Sequence, residues 1–341
     1  MNPFCNSVLR ENNLQNPLVV ADVGAAGGIE QTWLQYSDKA NILCFGFEPF
    51  PPSFNVLKSH NKVKFFPYAI SNNVGKAEFL GYSTVGFLHV GENMGKEVDE
   101  RYEKMIVDTE TLDNLCNKAV LPSIDILKID AEYHEVAVLE GAERQLEKET
   151  LFVKAEFCFR RNLGNSLNRI EDILMDKGFV LFNFQRNHSL MLNAVDSGDA
   201  LFLKNISSIL SLPEEKEYIK TMVCKLISIC LIINNINYAF FCLKESSKKG
   251  LFSSSEYNSI YDTITEIFFA PALLQKSKIR FKLCKLLFVL CHLVGGEMPN
   301  QSTPKDNCLI KSNRLFFKSR FLQKRNSRRL EKMYKGYTPL H

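Results

Sequence analysis

The sequence predicts an α/β domain with a mostly parallel sheet, closed by an antiparallel hairpin and followed by an all-helical C-terminal region. Three observations carry this. Between residues 17 and 204, short apolar runs alternate with amphipathic segments. The later strands are separated by spans long enough for helical crossovers until the last pair, which a polar stretch joins as in a hairpin. From Ser207 onward Leu, Ile, Phe and Lys recur at helical spacing, while Gly and Pro become sparse. The expected division is 1–205 for the sheet domain and 206–341 for a helical region with a basic tail.

In chain order, strands are expected at Leu18–Asp22, Ile42–Glu48, Val63–Ile70, Ala77–Tyr82, Ile124–Asp130, Phe152–Phe157, Phe179–Phe184 and Ala200–Leu203. Helices are expected at Ile29–Tyr36, Ser53–Ser59, Glu135–Glu147 and Leu167–Lys177. Pro52 and Ser53 suit a helix start, and Gly178 suits a stop. Beyond the sheet, Ser207–Leu212, Tyr218–Leu231, Tyr238–Lys244, Ser255–Phe269 and Ser277–Val294 read as helices, and 295–304 as a linker.

The chain has 341 residues, 45% of them hydrophobic and 23% charged, so it is long and apolar enough for a sizeable core. Its net charge of +4 is uneven: the segment from Lys311 to the end holds ten Lys/Arg against Glu331 alone. The rest carries 32 Lys/Arg and 37 Asp/Glu, so the basic character belongs to the tail. Ten cysteines lack any Cys-x-x-Cys pair, and several lie in apolar runs, which points to buried free thiols in a reducing compartment. The N-terminus has no signal-peptide pattern, and a cytoplasmic location is expected. The most apolar stretch, Met222 to Leu243, is interrupted by Lys225, Asn234, Asn235 and Asn237. It falls short of the about 20 clean apolar residues that a span needs, so no transmembrane segment is expected.

Four local patterns point to chemistry. The first strand ends in Asp22 and turns through Val23-Gly24-Ala25-Ala26-Gly27-Gly28 into a helix. Small residues there let backbone approach a ligand closely, with free helix N–H groups beyond. The second strand ends in Phe47-Glu48-Pro49, where an exposed strand-end acid can hold a ribose diol. The third expected strand ends in Ala69-Ile70-Ser71-Asn72, at a place where such sheets hold an adenine. The fourth pattern is Leu127-Lys128-Ile129-Asp130-Ala131-Glu132-Tyr133-His134-Glu135. It delivers Asp130 to the carboxyl edge of the sheet, with Glu132, His134 and Glu135 within one turn. Crowded carboxylates raise one another's pKa toward the range of a general base. Glu135 is equally well explained as a helix N-terminal acid answering the macrodipole. Glu156 also reaches the carboxyl edge and is a second acceptor-side candidate, while a lone His89 in a loop-bearing insertion is more simply incidental.

These residues carry a family resemblance. Asp-Val-Gly-Ala at 22–25, Phe-Glu-Pro at 47–49, Ala-Ile-Ser at 69–71, Thr-Leu-Asp at 111–113, Leu-Lys-Ile-Asp-x-Glu at 127–132 and Val-Leu-Glu-Gly-Ala at 138–142 occur in order. The series, over roughly residues 17–204, resembles the FkbM-type S-adenosylmethionine-dependent O-methyltransferases. The resemblance implies a Rossmann-like class I methyltransferase sheet with a terminal antiparallel hairpin. It implies S-adenosylmethionine as cofactor, with Asp22 and Gly24 flanking its methionine part, Glu48 on the ribose, and Asp130 and Glu132 by the transferred methyl; Ala25, Gly27, Ala69 and Ser71 complete the expected cofactor-binding set. Asp130, Glu132 and His134 become the catalytic candidates. The acceptor it implies is a hydroxyl of a glycan or natural product. Relatives usually carry Gly after the Asp-x-Glu, where this chain has Tyr133 and His134.

Three other readings compete. A dinucleotide oxidoreductase would share the glycine turn and Glu48 but would want Gly-x-Gly-x-x-Gly, which is absent from this turn. A nucleic-acid methyltransferase would use the aromatic-interleaved basic tail from Arg314 on, but no base-flipping motif accompanies it, and a nucleic-acid partner is not expected. A non-catalytic scaffold would not need Asp22, Gly24, Glu48 and Asp130 together. The helical region is expected to serve a protein partner or a homodimer contact.

Overall fold

The computed structural model describes residues 7–37, 41–82, 85–89, 102–159, 165–186 and 197–273. The elements run α1 (Ser7–Gln15), β1 (Leu18–Val23), α2 (Gln31–Ser37), β2 (Ile42–Phe47), α3 (Pro51–Phe54), β3 (Val63–Phe66), β4 (Ala69–Ile70), β5 (Gly75–Tyr82), β6 (Val85–Leu88) and β7 (Glu103–Glu110). Then follow α4 (Leu112–Asn117), β8 (Ile126–Ile129), α5 (Glu135–Glu140), α6 (Glu143–Lys148), β9 (Phe152–Cys158), α7 (Leu167–Asp176), β10 (Phe179–Arg186) and β11 (Ser197–Lys204). The helices α8 (Ile206–Ile209), α9 (Lys216–Ile232), α10 (Ile236–Lys248) and α11 (Ser254–Leu273) end the described part.

Seven strands form one sheet in the order β10-β11-β9-β8-β1-β2-β3. All neighbours pair in parallel except β11, which is antiparallel to both β10 and β9. The expected hairpin is therefore present, and β11 slots between its partner and the parallel core. Every residue of β1 is buried, because a central parallel strand is covered on both faces. Its Val19, Ala21 and Val23 join Phe47, Leu127, Ile129, Ala155 and Phe202 in the core. The carboxyl ends of β1, β2, β8 and β9 share one edge, where open α/β sheets present their ligands.

A second sheet corrects the reading of the middle of the chain. The stretch expected as one strand, Val63–Ile70, breaks after Phe66: β3 stays in the main sheet, whereas β4 joins a four-stranded sheet, β4-β7-β5-β6. Pro67 has no N–H to continue a ladder, so the chain changes sheets there. The strand expected at Ala77–Tyr82 is β5 of this second sheet, antiparallel to β6 and β7. β7 carries no continuous apolar run, since Glu103, Lys104, Asp108 and Glu110 interleave its buried positions, and its signal is lost in the sequence. The helix expected at Glu135–Glu147 is two helices parted at Gly141 and Ala142; a Cβ on Gly141 would lie 2.0 Å from Ser71 O. The helix expected at Ser53–Ser59 is the four-residue α3, and α1 and α4 are further elements the periodicity did not announce.

One structural unit runs on to Ile267, past the expected boundary at 205/206, and side-chain contacts tie α9 and α10 to the preceding domain. Lys225 of α9 places Nζ 2.9 Å from both oxygens of buried Asp125, which also accepts from Val19 N at 2.9 Å. Tyr218 donates to Glu149 Oε2, and Tyr238 donates to Lys204 O while accepting from Ile206 N, each at 2.9 Å. The apolar stretch from Met222 to Leu243 is divided between α9 and α10. Asn234 turns the chain at φ +60°, and the Asn235 side chain caps α10 by accepting from Tyr238 N. Among the described residues no helix is long and apolar enough to cross a membrane. Cys44, Cys158, Cys224, Cys230 and Cys242 are buried free thiols, and Cys116 is a half-buried one. The expected helix Ser277–Val294, the linker and the basic tail lie outside the described residues.

Candidate active site

The turn after β1 is built on Asp22. Its carboxylate is fully buried, accepts from Glu30 N at 2.9 Å and lies 3.1 Å from Lys128 Nζ, so the acid ties the turn to its following helix and to β8. Burial pushes the Asp22 pKa up, against the pull of Lys128 and of the Glu30 N–H. The glycines divide into two kinds. Gly24 has φ +79°, and a Cβ there would meet Asp130 O at 1.8 Å, so this glycine admits the backbone of β8's end. Gly27 and Gly28 would meet no atom within 4 Å, and both line a cavity of about 710 Å³. That half of the turn leaves its backbone open to a ligand. Ala25 is buried behind the turn, and Ala26 takes the place on the cavity wall that was expected for it.

Glu48 lines the same cavity at the end of β2, but it is not the exposed acid expected: only 5% of it is accessible. Its Oε1 accepts from Phe50 N at 2.8 Å. Burial raises its pKa to about 7, opposed by that N–H and by Lys128. Tyr68 and Ala69 continue this wall, whereas Ser71 stands outside the lining. Phe50, with Phe79 and Leu88 of the second sheet, adds an apolar wall that sequence reasoning missed, because it depended on strands not recognised.

Across the cavity lies the turn after β8. Asp130, Ala131, Glu132 and His134 all line it. Two consecutive residues adopt left-handed backbone, Glu132 at φ +48° and Tyr133 at φ +76°. This explains physically why Gly suits the position that Tyr133 occupies. Glu135, fully buried, anchors the turn by accepting from Ala131 N at 2.8 Å, and burial raises its pKa to about 8. Glu135 is thus a structural anchor rather than a solvated helix-end acid. Burial, then Asp130, raises the pKa of Glu132. His134 holds Nε2 2.9 Å from Ser71 Oγ, and burial lowers its pKa to about 4, so its ring is neutral near pH 7. Burial followed by Asp130, Glu132 and Asp199 raises Glu156 to about 7, but Glu156 is not part of the cavity lining. His89 likewise stands outside the lining and pairs with Glu78 at 2.7 Å.

Tyr133→Gly is expected to raise stability by about 1 kcal/mol, the typical cost of a non-glycine residue in this backbone region. Tyr133→Ala, which keeps a Cβ, should not share the gain. Chemical denaturation of the two variants checks this.

Two lysines complete the electrostatics. Lys128 lies 3.1 Å from Asp22, 3.4 Å from Asp130 Oδ2 and 3.3 Å from Gly24 O. Burial disfavours its charge, but Asp22 and Asp130 outweigh that and its pKa is raised. Lys154 lies 3.2 Å from Glu30 and 3.3 Å from Asp199. The signal for Lys128 was readable: a lone cation inside the apolar run Ile-Leu-Lys-Ile needs a buried counter-charge.

A parallel sheet whose last hairpin reverses one strand, a glycine turn after β1 and an acid after β2 define the class: a Rossmann-like α/β fold with its ligand cavity at the carboxyl edge of the sheet. Residues 22–181 match the methyltransferase FkbM domain, so that span of the chain is similar to this family. The 2-O-methyltransferase NoeI of Sinorhizobium fredii is 28% identical over 155 residues, which are 41% of this chain and 63% of that protein. The match therefore spans under two thirds of the relative's length. Among solved structures, a methyltransferase FkbM from Methylobacillus flagellatus KT aligns at 15% identity and a TM-score of 0.34, over 55% of this chain and 43% of its own. Magnesium protoporphyrin IX methyltransferase from Synechocystis PCC 6803, with bound SAM, aligns at 12% identity and a TM-score of 0.31, over 58% of this chain and 77% of its own. At such scores the strand order, not the superposition, defines the fold.

Proposed function

We propose that this protein transfers the methyl group of S-adenosylmethionine to a hydroxyl of a glycan or natural product. The observation that carries the reading is that the open glycines Gly27 and Gly28, the acid Glu48 and the Asp130–His134 turn line one cavity. The donor set fits the cofactor: exposed backbone at the glycines suits its methionine end, and the Glu48 carboxylate suits a ribose diol. Asp22 and Gly24 also line the cavity and hold the turn in place, Asp22 through Glu30 N and Lys128 and Gly24 by its close approach to Asp130 O. The name of the Sinorhizobium relative, a 2-O-methyltransferase, supports oxygen as the acceptor atom.

When bound, S-adenosylmethionine supplies a methyl already activated on a positive sulfur. The chain's part is to align the acceptor oxygen for in-line attack and to take its proton. Asp130 and Glu132 are the groups assigned to the acceptor. Glu132, whose pKa is raised by burial and by Asp130, is the better matched proton acceptor. The region beyond residue 205 is assigned to a protein partner or a second copy rather than to chemistry.

Calorimetric titration with S-adenosylhomocysteine and with NAD(H) tests the cofactor. Binding of NAD(H) without S-adenosylhomocysteine would overturn the reading. Because Glu48 has a pKa of about 7, S-adenosylhomocysteine affinity should rise between pH 6 and 8 as the carboxylate ionises and accepts the ribose hydrogen bonds. Glu48→Gln should lose about tenfold in affinity at pH 8 and flatten that profile. Asp130→Asn should lower methyl transfer at least tenfold, while S-adenosylhomocysteine affinity changes less than threefold. Product detection by mass spectrometry on glycan acceptors reads the transfer.

A further inference from the structure

We infer that His134 is a positioning residue that clamps the cofactor wall to the acceptor turn through Ser71, rather than a proton carrier. This rests on the cofactor assignment above. Three contacts run side by side along one seam. His134 Nε2 lies 2.9 Å from Ser71 Oγ, and Asn72 Nδ2 donates to Glu140 Oε2 at 2.8 Å. Gly141 approaches so closely that a Cβ there would lie 2.0 Å from Ser71 O. The start and end of α5 are thus fastened to the two residues that follow β4. Ser71 N donates to Glu110 O at 2.8 Å, which anchors the other side of this short segment to β7.

The strands explain why a clamp is needed. β4 has two residues and, among the described residues, pairs with β7 alone, at the edge of the second sheet. It nevertheless supplies Ala69 and Ile70 to the cavity wall. A two-residue edge strand is weakly held by its own ladder. On the other side, Glu132 and Tyr133 occupy left-handed backbone that must be held by its surroundings. One side-chain contact between them, His134 to Ser71, fixes both walls of the cavity at once. The Ser71 hydroxyl engages one of the two imidazole nitrogens, Nε2.

The test is a double-mutant cycle on the full chain, read by S-adenosylhomocysteine titration and by hydrogen exchange of residues 68–72 in the unliganded protein. His134→Ala and Ser71→Ala should each weaken affinity about tenfold, and the double variant should be no worse than either single within about twofold. His134→Gln, which keeps a polar nitrogen near the Nε2 position, should stay within about threefold of the unaltered chain. Exchange at 68–72 should speed up at least tenfold in both alanine variants and not in the glutamine variant. Additive losses, failed rescue by glutamine, or unchanged exchange in the alanine variants would overturn the clamp. If the unaltered chain does not bind S-adenosylhomocysteine, the cofactor assignment fails, and exchange at 68–72 alone then decides whether the contact holds the segment. Should His134→Ala not fold, Ser71→Ala and His134→Gln carry the same comparison.

Discussion

Gly24→Ala is expected to cost roughly 3–5 kcal/mol of stability and to abolish S-adenosylhomocysteine binding. Two independent effects add at this one atom. The backbone sits at φ +79°, which a side chain disfavours, and the new Cβ would lie 1.8 Å from Asp130 O and 2.9 Å from Asp130 C. Backbone, unlike a flexible side chain, cannot swing away, so either β8's end or the glycine turn must move. Both carry the site. Gly27→Ala supplies the control, because a Cβ there meets nothing within 4 Å. That variant should fold with near-normal stability yet bind S-adenosylhomocysteine at least tenfold more weakly, since it fills space kept for a ligand. Denaturant unfolding with calorimetry separates the two outcomes. Equal stability loss in both variants would contradict the division of the turn into a packing half and a ligand half.

Lys128→Met is the second change with a large expected effect, again about 3–5 kcal/mol. It leaves Asp22, which has no accessible surface, without the cation 3.1 Å away. The sign with pH follows from the carboxyl. Burial already raises the Asp22 pKa above its ordinary 3.8, and Lys128 is the largest influence holding it down. Removing the lysine drives it higher still. A raised carboxyl pKa gives stability that is present at low pH and lost as the group is forced to ionise. The deficit of Lys128→Met against the unaltered chain should therefore be smallest near pH 4 and grow as pH rises through the carboxylate range. Asp22→Asn combined with Lys128→Met removes both charges and should recover at least half of the loss. If the double variant is no more stable than Lys128→Met at pH 8, the ion pair is not the cause.

Sequence alone was enough for the alternation of the main sheet, its terminal hairpin and the helical texture after Ser207. These rest on local periodicity and on residue type, which a linear reading retains. It was also enough to bring forward Asp22, Gly24, Gly27, Glu48, Asp130, Glu132 and His134, because the carboxyl ends of parallel strands converge on one edge in any such fold. Only the tertiary structure decided what each of them faces. Gly24 and Gly27 look alike in the chain and both line the cavity, yet only Gly24 has backbone where a Cβ would stand. Glu48 reads as an exposed strand end but is buried beside Phe50, which changes its proton affinity. The second sheet escaped because β7 mixes charged and buried positions and because Pro67 redirects β4 out of the main sheet, and both depend on partners distant in sequence. Lys128, the contact of His134 with Ser71, and Lys225 on Asp125 are likewise long-range pairings. Periodicity reports which face of an element is apolar; it carries no record of which charge or hydroxyl waits on the opposite wall.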